Sequence, residues 1–408
     1  MQNSNGMKYI ILVGDGMGDL PIAELGGKTP LAFAHTPFMD RIAQAGKLYR
    51  LCTVPQGFPP GSDVANLSLL GYLPHECYSG RAPLEAASLG VALVADEIAF
   101  RCNLVTLRFE EDRVYMEDYS SGHISTQEAK ILIEGIEAVA GSSRLHFYSG
   151  VSYRHLLVHS GEIGSLVTVP PHDYTGREVT EFWRQYNRIS YLQEALAKTV
   201  AYLATHPVNL GRQAQQRNPA NAIWLWGEGK APVMSTISEQ FGVEGALISA
   251  VDLLKGIGVY AGMEIIEVPG ATGYLDTNYA GKAAAAMQAL ETKDLVFVHV
   301  EAPDEAGHQG SLKDKLQAIE DFDGKIVKPI FEALIASGYD FRLAVAMDHF
   351  TPLATRTHSA DPVPVAIYDS RIEQPGSGLS YDEQSAARGG ELLEDGRQFF
   401  KRVLEQYG

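Results

Sequence analysis

The sequence predicts an α/β protein, a mostly parallel sheet flanked by helices and interrupted by an inserted smaller domain of α/β or α+β character. Three observations carry this expectation. Short apolar, β-branched runs (Tyr9 to Val13, Leu295 to Val300, Leu343 to Met347) each stop at a polar or glycine-rich turn, as buried parallel strands do. Helical patterns such as Ala280 to Leu290 and Gln317 to Ala336 lie between them. From about Ala95 to Pro232 the pattern changes to shorter strand-like pieces, among them Phe100 to Arg108.

The chain has 408 residues, long for one core, so two units are expected: residues 7–94 with 233–408 forming the sheet domain, and 95–232 the insert. Hydrophobic residues make up 45% and charged residues 20%, which places the chain among folded globular proteins. A formal net charge of −17 argues against a nucleic-acid surface, since such surfaces need basic stripes to displace counterions. It leaves room for a small phosphorylated substrate, because a bound divalent cation reverses the local potential. The three cysteines, Cys52, Cys77 and Cys102, make neither a disulfide framework nor a C-x-x-C pair, as expected of a reducing compartment. No secretory leader pattern or run long enough to span a bilayer stands out, so a cytoplasmic location away from membranes is expected. No coiled-coil stripe or other interface signature sets an oligomeric state.

Each strand should deliver chemistry to the sheet's carboxyl edge, where open α/β sheets collect ligands. Asp15 sits in the loop Gly14-Asp-Gly-Met-Gly18. The glycine spacing does not match G-x-G-x-x-G, and a carboxylate there would repel a pyrophosphate, so a metal ligand suits the loop better. Thr36-Pro37 to Gly46 has the cap, first-turn proline and terminal glycine of a helix. Asp304 and His308 stand one helical turn apart and can share an ion. Asp348-His349 follow the third strand, and His358 leads into the turn and strand at Ser359 to Val365. Ser62, after Phe58-Pro-Pro60, falls at a helix N-cap, where backbone N–H groups and the helix dipole favour a phosphate or a developing alkoxide. Each of these residues has a commonplace structural role when taken alone. Taken together, hard carboxylates and borderline imidazoles suit two divalent ions, Mn, Co, Zn or Mg, clamping a phosphoryl transfer.

Gly14-Asp15-Gly16, Gly61-Ser62-Asp63-Val-Ala-Asn66, Asp304-Glu-Ala-Gly-His308, Asp348-His349 and His358-Ser-Ala-Asp-Pro-Val-Pro364 resemble the motifs of the alkaline phosphatase superfamily. Within it they are most similar to the archaeal-type branch of cofactor-independent phosphoglycerate mutases. The similarity extends to Leu69-Leu-Gly-Tyr72, Ala99 to Asn103, Gly150 to His155, Pro171-His-Asp173 and Gly270 to Tyr274. The resemblance implies an alkaline-phosphatase-like metal domain with an inserted transferase domain, and a phosphoserine formed on Ser62. It implies one metal on Asp304, His308 and His358, a second on Asp15, Ser62, Asp348 and His349, and no requirement for 2,3-bisphosphoglycerate. Substrate contacts are expected from Arg101, Tyr153, Arg154, His155, His172, Asp173 and Lys230. The chain departs from the pattern at Arg81, at Phe350, and at Trp226-Gly-Glu-Gly-Lys230, where Lys230 offers a point charge in place of an arginine fork. That departure leaves three reactions open: interconversion of 2- and 3-phosphoglycerate, transfer to another acceptor as in a homoserine kinase-like enzyme, or phosphatase action.

Overall fold

The computed structural model describes residues 6–163, 166–372 and 376–404. The ends of the expected domains at 405–408, and residues 164–165 of the expected insert, lie outside these. The strands, in chain order, are β1 (Lys8–Gly14), β2 (Lys47–Leu51), β3 (Glu97–Glu110), β4 (Arg113–Asp118), β5 (Leu145–Tyr148), β6 (Arg154–Ser160) and β7 (Ala222–Gly229). They continue with β8 (Gly245–Ile248), β9 (Glu264–Ile265), β10 (Leu295–Val300), β11 (Phe341–Ala346), β12 (Val363–Asp369) and β13 (Glu391–Leu393). They fall into two compact units, Met1–Tyr78 with Val233–Gly408, and Ser79–Pro232.

The first unit is built on an eight-stranded sheet of order β13-β2-β12-β11-β1-β10-β8-β9. Every residue of β1, β10 and β11 is buried. That burial explains their unbroken apolar sequences, because a strand covered on both faces cannot alternate with polar residues. Each large aliphatic side chain so buried contributes about 1.5–3 kcal/mol. β1 runs parallel to both neighbours, with Gly14 opposite Val300 of β10 and Val13 opposite Ala346 of β11. This register brings three strand ends level. β12 runs against β11 and β2, so it begins at the edge where the others finish.

Helices flank the sheet in two sets, one including Pro37–Ala45 and Tyr279–Ala289, the other Ser62–Leu69, Asp252–Tyr260 and Gly396–Leu404. The single helix expected over 317–336 is instead two, Leu312–Phe322 and Lys328–Ser337, joined by a π-helical turn at Asp323–Val327. Pro329 has no N–H to continue an α-helical ladder, and the wider turn accommodates this. The turn also places Asp323 where its carboxylate accepts from the backbone N–H of Phe38 (3.3 Å) and Met39 (2.6 Å). The helix at Pro37 is therefore capped from a distant segment, and the side chain of the expected cap, Thr36, makes no capping bond.

The second unit is antiparallel, which makes it α+β. Its sheet runs β4-β3-β6-β5 with β7 also on β3, and the helices Thr126–Ala140 and Ser190–Thr205 pack together beside it over Phe100, Leu104, Leu157 and Leu225. This unit begins at Ser79, ahead of residue 95, because the helix Arg81–Ser88 packs on β3 and β7.

Glu383 is buried beside the first-strand loop, where it accepts from Thr29 Oγ1 (2.6 Å) and Asp19 N (3.1 Å). Burial pushes its carboxyl up to about 7. Between the unfolded value near 4.3 and that raised value, the folded chain holds the proton more tightly than the unfolded chain. Stability therefore falls as pH rises through this window, by about 3 kcal/mol in all. Urea unfolding of the metal-free chain from pH 4 to 8 should show the wild type losing that amount relative to Glu383→Gln.

Candidate functional site

Four segments of the first unit meet at the edge where β1, β10 and β11 end. Asp15 follows β1 directly. Gly16 next to it has φ +60, and a Cβ there would lie 2.5 Å from Thr351 Oγ1 and 2.6 Å from Asp304 Oδ1, so only glycine lets the loop pass. Gly16 N donates to Asp348 Oδ1 at 3.0 Å, binding the β1 loop to the β11 loop. Asp304 and His308 lie on the helix Ala302–Gln309 that follows β10, one turn apart as their spacing predicts. His358 arrives from the segment entering β12, and its ring stacks on that of His349 at 3.9 Å. Ser62 is the first residue of the helix Ser62–Leu69, and the cap is Gly61, one residue before the expected N-cap position. Its hydroxyl makes no cap bond and stands 3.0 Å from His349 Nε2.

The seven expected metal residues thus come together. Asp304 Oδ2 is 3.1 Å from His308 Nε2, and Asp304 Oδ1 is 3.4 Å from His358 Nε2. His349 Nε2 is 3.5 Å from Asp15 Oδ1 and 3.4 Å from Asp348 Oδ2. Asp304/His308/His358, Asp15/Asp304/His349 and Asp15/His299/Asp348 are each close enough to share one ion.

The hydrogen bonds behind the imidazoles determine what the rings present. His308 Nδ1 faces the carbonyl of Arg356 at 3.0 Å, and His358 Nδ1 faces that of Pro60 at 3.4 Å. A carbonyl only accepts, so both Nδ1 atoms carry the proton. Thr351 Oγ1 donates to Asp304 Oδ1 at 2.5 Å, which leaves it to accept from His349 Nδ1 at 3.2 Å. In all three rings Nδ1 is so engaged, and Nε2 is the nitrogen turned toward the carboxylates and available to a metal ion. His308 Nε2 and His358 Nε2 lie 2.9 Å apart, within hydrogen-bond distance. Asp15 Oδ1, buried, has no hydrogen-bond partner. These donors fit divalent cations.

Burial, followed by the neighbouring Asp348 and Asp304 charges, raises the Asp15 carboxyl well above the carboxylate range. Asp304 is held well below it, since bonds from His308 and His358 outweigh its own burial. The same contact with Asp304 lifts His308 to about 9.

The expected substrate residues all lie in the second unit. Arg101 is nearly buried, pairs with Glu85 at 3.0 Å, and stacks its guanidinium 4.0 Å over Trp226. His172 meets the edge of Trp226, and Tyr153 meets Tyr119, which also touches His172. Burial lowers Arg101, and the charges of Arg81 and Arg154 lower it further, which places three arginines within electrostatic reach of one another. Arg154 lies beside the Tyr153 ring. His155 stands apart: it is buried in β6, accepts from Gly150 N at 3.0 Å, and is pushed down to about 3 by burial. Asp173 and Lys230 are exposed.

Residues not singled out from sequence also stand at these places. Asn66 donates to Asp348 Oδ2 at 3.0 Å and to Ser62 O at 2.8 Å, bracing the Ser62 helix against the β11 loop. Its place in the run after Ser62 was the available signal. Thr351 and His299 had none, because their neighbours at the site come from other strands and loops; Arg81 stood out in the sequence only as a departure from the family pattern.

A mostly parallel sheet whose carboxyl edge gathers carboxylates, imidazole nitrogens and a serine hydroxyl defines a class of α/β proteins with a candidate metal centre beside a hydroxyl group. The profile of 2,3-bisphosphoglycerate-independent phosphoglycerate mutase matches residues 43–209. The chain is 54% identical to the 2,3-bisphosphoglycerate-independent phosphoglycerate mutase of Methanosarcina barkeri, over 94% of this chain and 96% of the relative. It is 50% identical to a protein named probable 2,3-bisphosphoglycerate-independent phosphoglycerate mutase from Geobacter sulfurreducens, over 98% of this chain and all of the relative. Among solved structures, the cofactor-independent phosphoglycerate mutase of Thermoplasma acidophilum matches with TM-score 0.66 and 26% identity, covering 98% of this chain and 100% of that one. A Pyrococcus horikoshii protein matches with TM-score 0.79 and 28% identity, covering 99% and 100%. The chain belongs to the family of 2,3-bisphosphoglycerate-independent phosphoglycerate mutases.

Behind the site, Lys315 is fully buried and donates to Asp19 Oδ2 (2.8 Å), Gly18 O (3.0 Å) and Thr351 O (2.7 Å). It ties the loop after β1 to the loop after β11. Lys315→Met leaves Asp19 buried without its cation and should cost about 3–5 kcal/mol in urea unfolding, far more than an exposed lysine would.

Proposed function

We propose that this protein interconverts 2-phosphoglycerate and 3-phosphoglycerate through a phosphoserine on Ser62, with the aid of two divalent metal ions. The observation that carries the reading is the Ser62 hydroxyl 3.0 Å from the Nε2 of His349, amid the carboxylates Asp15, Asp304 and Asp348. Family membership supports the substrate.

In this reading Asp304, His308 and His358 hold one ion, and Asp15, Asp348, His349 and the Ser62 oxygen hold the other. Bound there, divalent ions lower the pKa of a coordinated hydroxyl and neutralise charge on a transferring phosphoryl group. Ser62 Oγ loses its proton and attacks phosphorus. The bond to the glycerate oxygen breaks, and that oxygen leaves as the free hydroxyl after taking a proton. The second hydroxyl of the same glycerate then attacks the phosphoserine and releases Ser62. The position of Ser62 at a helix N-terminus favours the negative charge carried through both steps. The arginine group Arg81, Arg101 and Arg154 supplies the cationic surface for the carboxylate or phosphate of the substrate, since guanidinium forks match both. Trp226 and Glu85 hold Arg101 in one orientation from two sides.

An enolase-coupled assay with 3-phosphoglycerate, added Mn and no 2,3-bisphosphoglycerate tests this. Wild type should turn over, and Ser62→Ala should lose at least about a thousandfold in kcat while keeping its fold. Absence of turnover in a metal-loaded wild type would reject the mutase. Phosphoryl transfer to homoserine, or release of inorganic phosphate, would then identify the acceptor. Prolonged treatment with a chelator should abolish activity, and Mn should restore it.

A further inference from the structure

Thr351 lies two residues past His349 and has no part in the proposed chemistry, yet it is fully buried and its polar groups are all engaged. Its backbone N–H donates to Gly18 O, in the loop after β1, at 3.1 Å. Its backbone carbonyl accepts from Lys315 Nζ at 2.7 Å. Its hydroxyl makes a 2.5 Å hydrogen bond with Asp304 Oδ1, on the helix that follows β10. A single residue of the loop after β11 is bonded in this way to the segments that follow β1 and β10.

The packing around Thr351 fixes its rotamer. A Cβ on Gly16 would lie 2.5 Å from Thr351 Oγ1, and one on Gly307 would lie 2.8 Å from Thr351 Cγ2 and 2.7 Å from its carbonyl oxygen. With both branches of a β-branched side chain held at close quarters, the hydroxyl has no second staggered position to turn to. Asp304, which it holds, is the residue common to two of the candidate ion groups. It is close enough to share one ion with His308 and His358, and another with Asp15 and His349. Its Oδ2 stands 3.1 Å from His308 Nε2, and its Oδ1 stands 3.4 Å from His358 Nε2. A bond on Oδ1 sets the rotation of the carboxylate about its own axis, and with it the direction in which Oδ2 points.

We propose that Thr351 is a positioning residue: its hydroxyl holds Asp304 Oδ1 to the loop that carries Asp348 and His349, which orients the carboxylate toward His308 and His358 and sets its distance from the other ligand group. This rests on the reading of Asp304 as a metal ligand given above. The link runs through the hydroxyl and then through the main chain back to His349, so it does not depend on the protonation of that ring. A carboxylate already held in its binding orientation gives up less freedom when an ion arrives, which raises the affinity of the ion it shares with His308 and His358. A purely space-filling Thr351 would act through its methyl group instead, and serine, which keeps the hydroxyl and lacks the methyl, separates the two roles.

The test is a Mn titration of the metal-stripped full-length chain, read by calorimetry and by bound metal per chain after gel filtration, for wild type, Thr351→Val, Thr351→Ser and His358→Ala. Wild type should bind two ions, and the ion weakened in His358→Ala marks the one that belongs to Asp304, His308 and His358. Thr351→Val keeps the outline of the side chain without its hydroxyl. It should weaken that same ion by about 10–100-fold, the usual effect of losing an outer partner of a ligand, and affect the other less. Thr351→Ser should recover most of the loss. The proposal fails if Thr351→Val binds both ions as wild type does, or if the other ion weakens as much. It also fails if Thr351→Ser is as impaired as Thr351→Val, because the methyl group would then be what matters. Circular dichroism of the metal-free forms reports folding; should Thr351→Val not fold, Thr351→Ala removes the same hydroxyl and is judged by the same outcomes. A wild type that binds no metal overturns the reading of the site itself, and this inference with it.

Discussion

Three carboxylates, Asp15, Asp304 and Asp348, are removed from water and packed at one sheet edge, and this concentration of negative charge is the constraint to which the rest of the first unit answers. Two unit charges 4 Å apart repel by about 4 kcal/mol at the effective dielectric of a protein. Burial drives His349 and His299 toward neutrality, while the bond to Asp304 lifts His308 to about 9, so that ring offsets part of the charge. Lys315 secures the loops carrying Asp15 and Asp348, and the donors of Gly16 and Asn66 end on Asp348.

The site is thus organised in two shells. Nε2 atoms and carboxylate oxygens face inward, while Arg356 O, Pro60 O and Thr351 Oγ1 engage the Nδ1 atoms from outside. The second unit follows a different principle. Its charge is cationic and supported by aromatic rings, with Arg101 between Glu85 and Trp226. The tryptophan at the place where an arginine was expected supports a guanidinium already present, that of Arg101.

Much of this was legible in the residues. The buried strands announce themselves because burial on both faces demands unbroken apolar runs, and polar residues directly after such runs have only the sheet edge to occupy. Helical spacing showed that Asp304 and His308 share one face, and the other motifs made the pair a candidate site. Errors arose where a distant segment intervened. Thr36 has the right chemistry for a helix cap, but Asp323 takes that role because a π turn brings its carboxylate to the helix start. Ser62 was expected to be the cap, which is Gly61, and its hydroxyl serves His349, not its own helix. His155 matched a family segment, yet its strand turns it into the interior.

The buried strands, the acidic and imidazole residues at their ends, the serine at a helix start and the family itself were determined by the sequence, because periodicity and local spacing act over a few residues. Which nitrogen of each histidine carries a proton, which oxygen of Asp15 stays without a partner, and the parts played by Thr351, His299 and Lys315 were decided only by the tertiary structure. Those properties depend on groups brought within about 3 Å by strand register and loop packing, and nothing in the local sequence encodes such a distance.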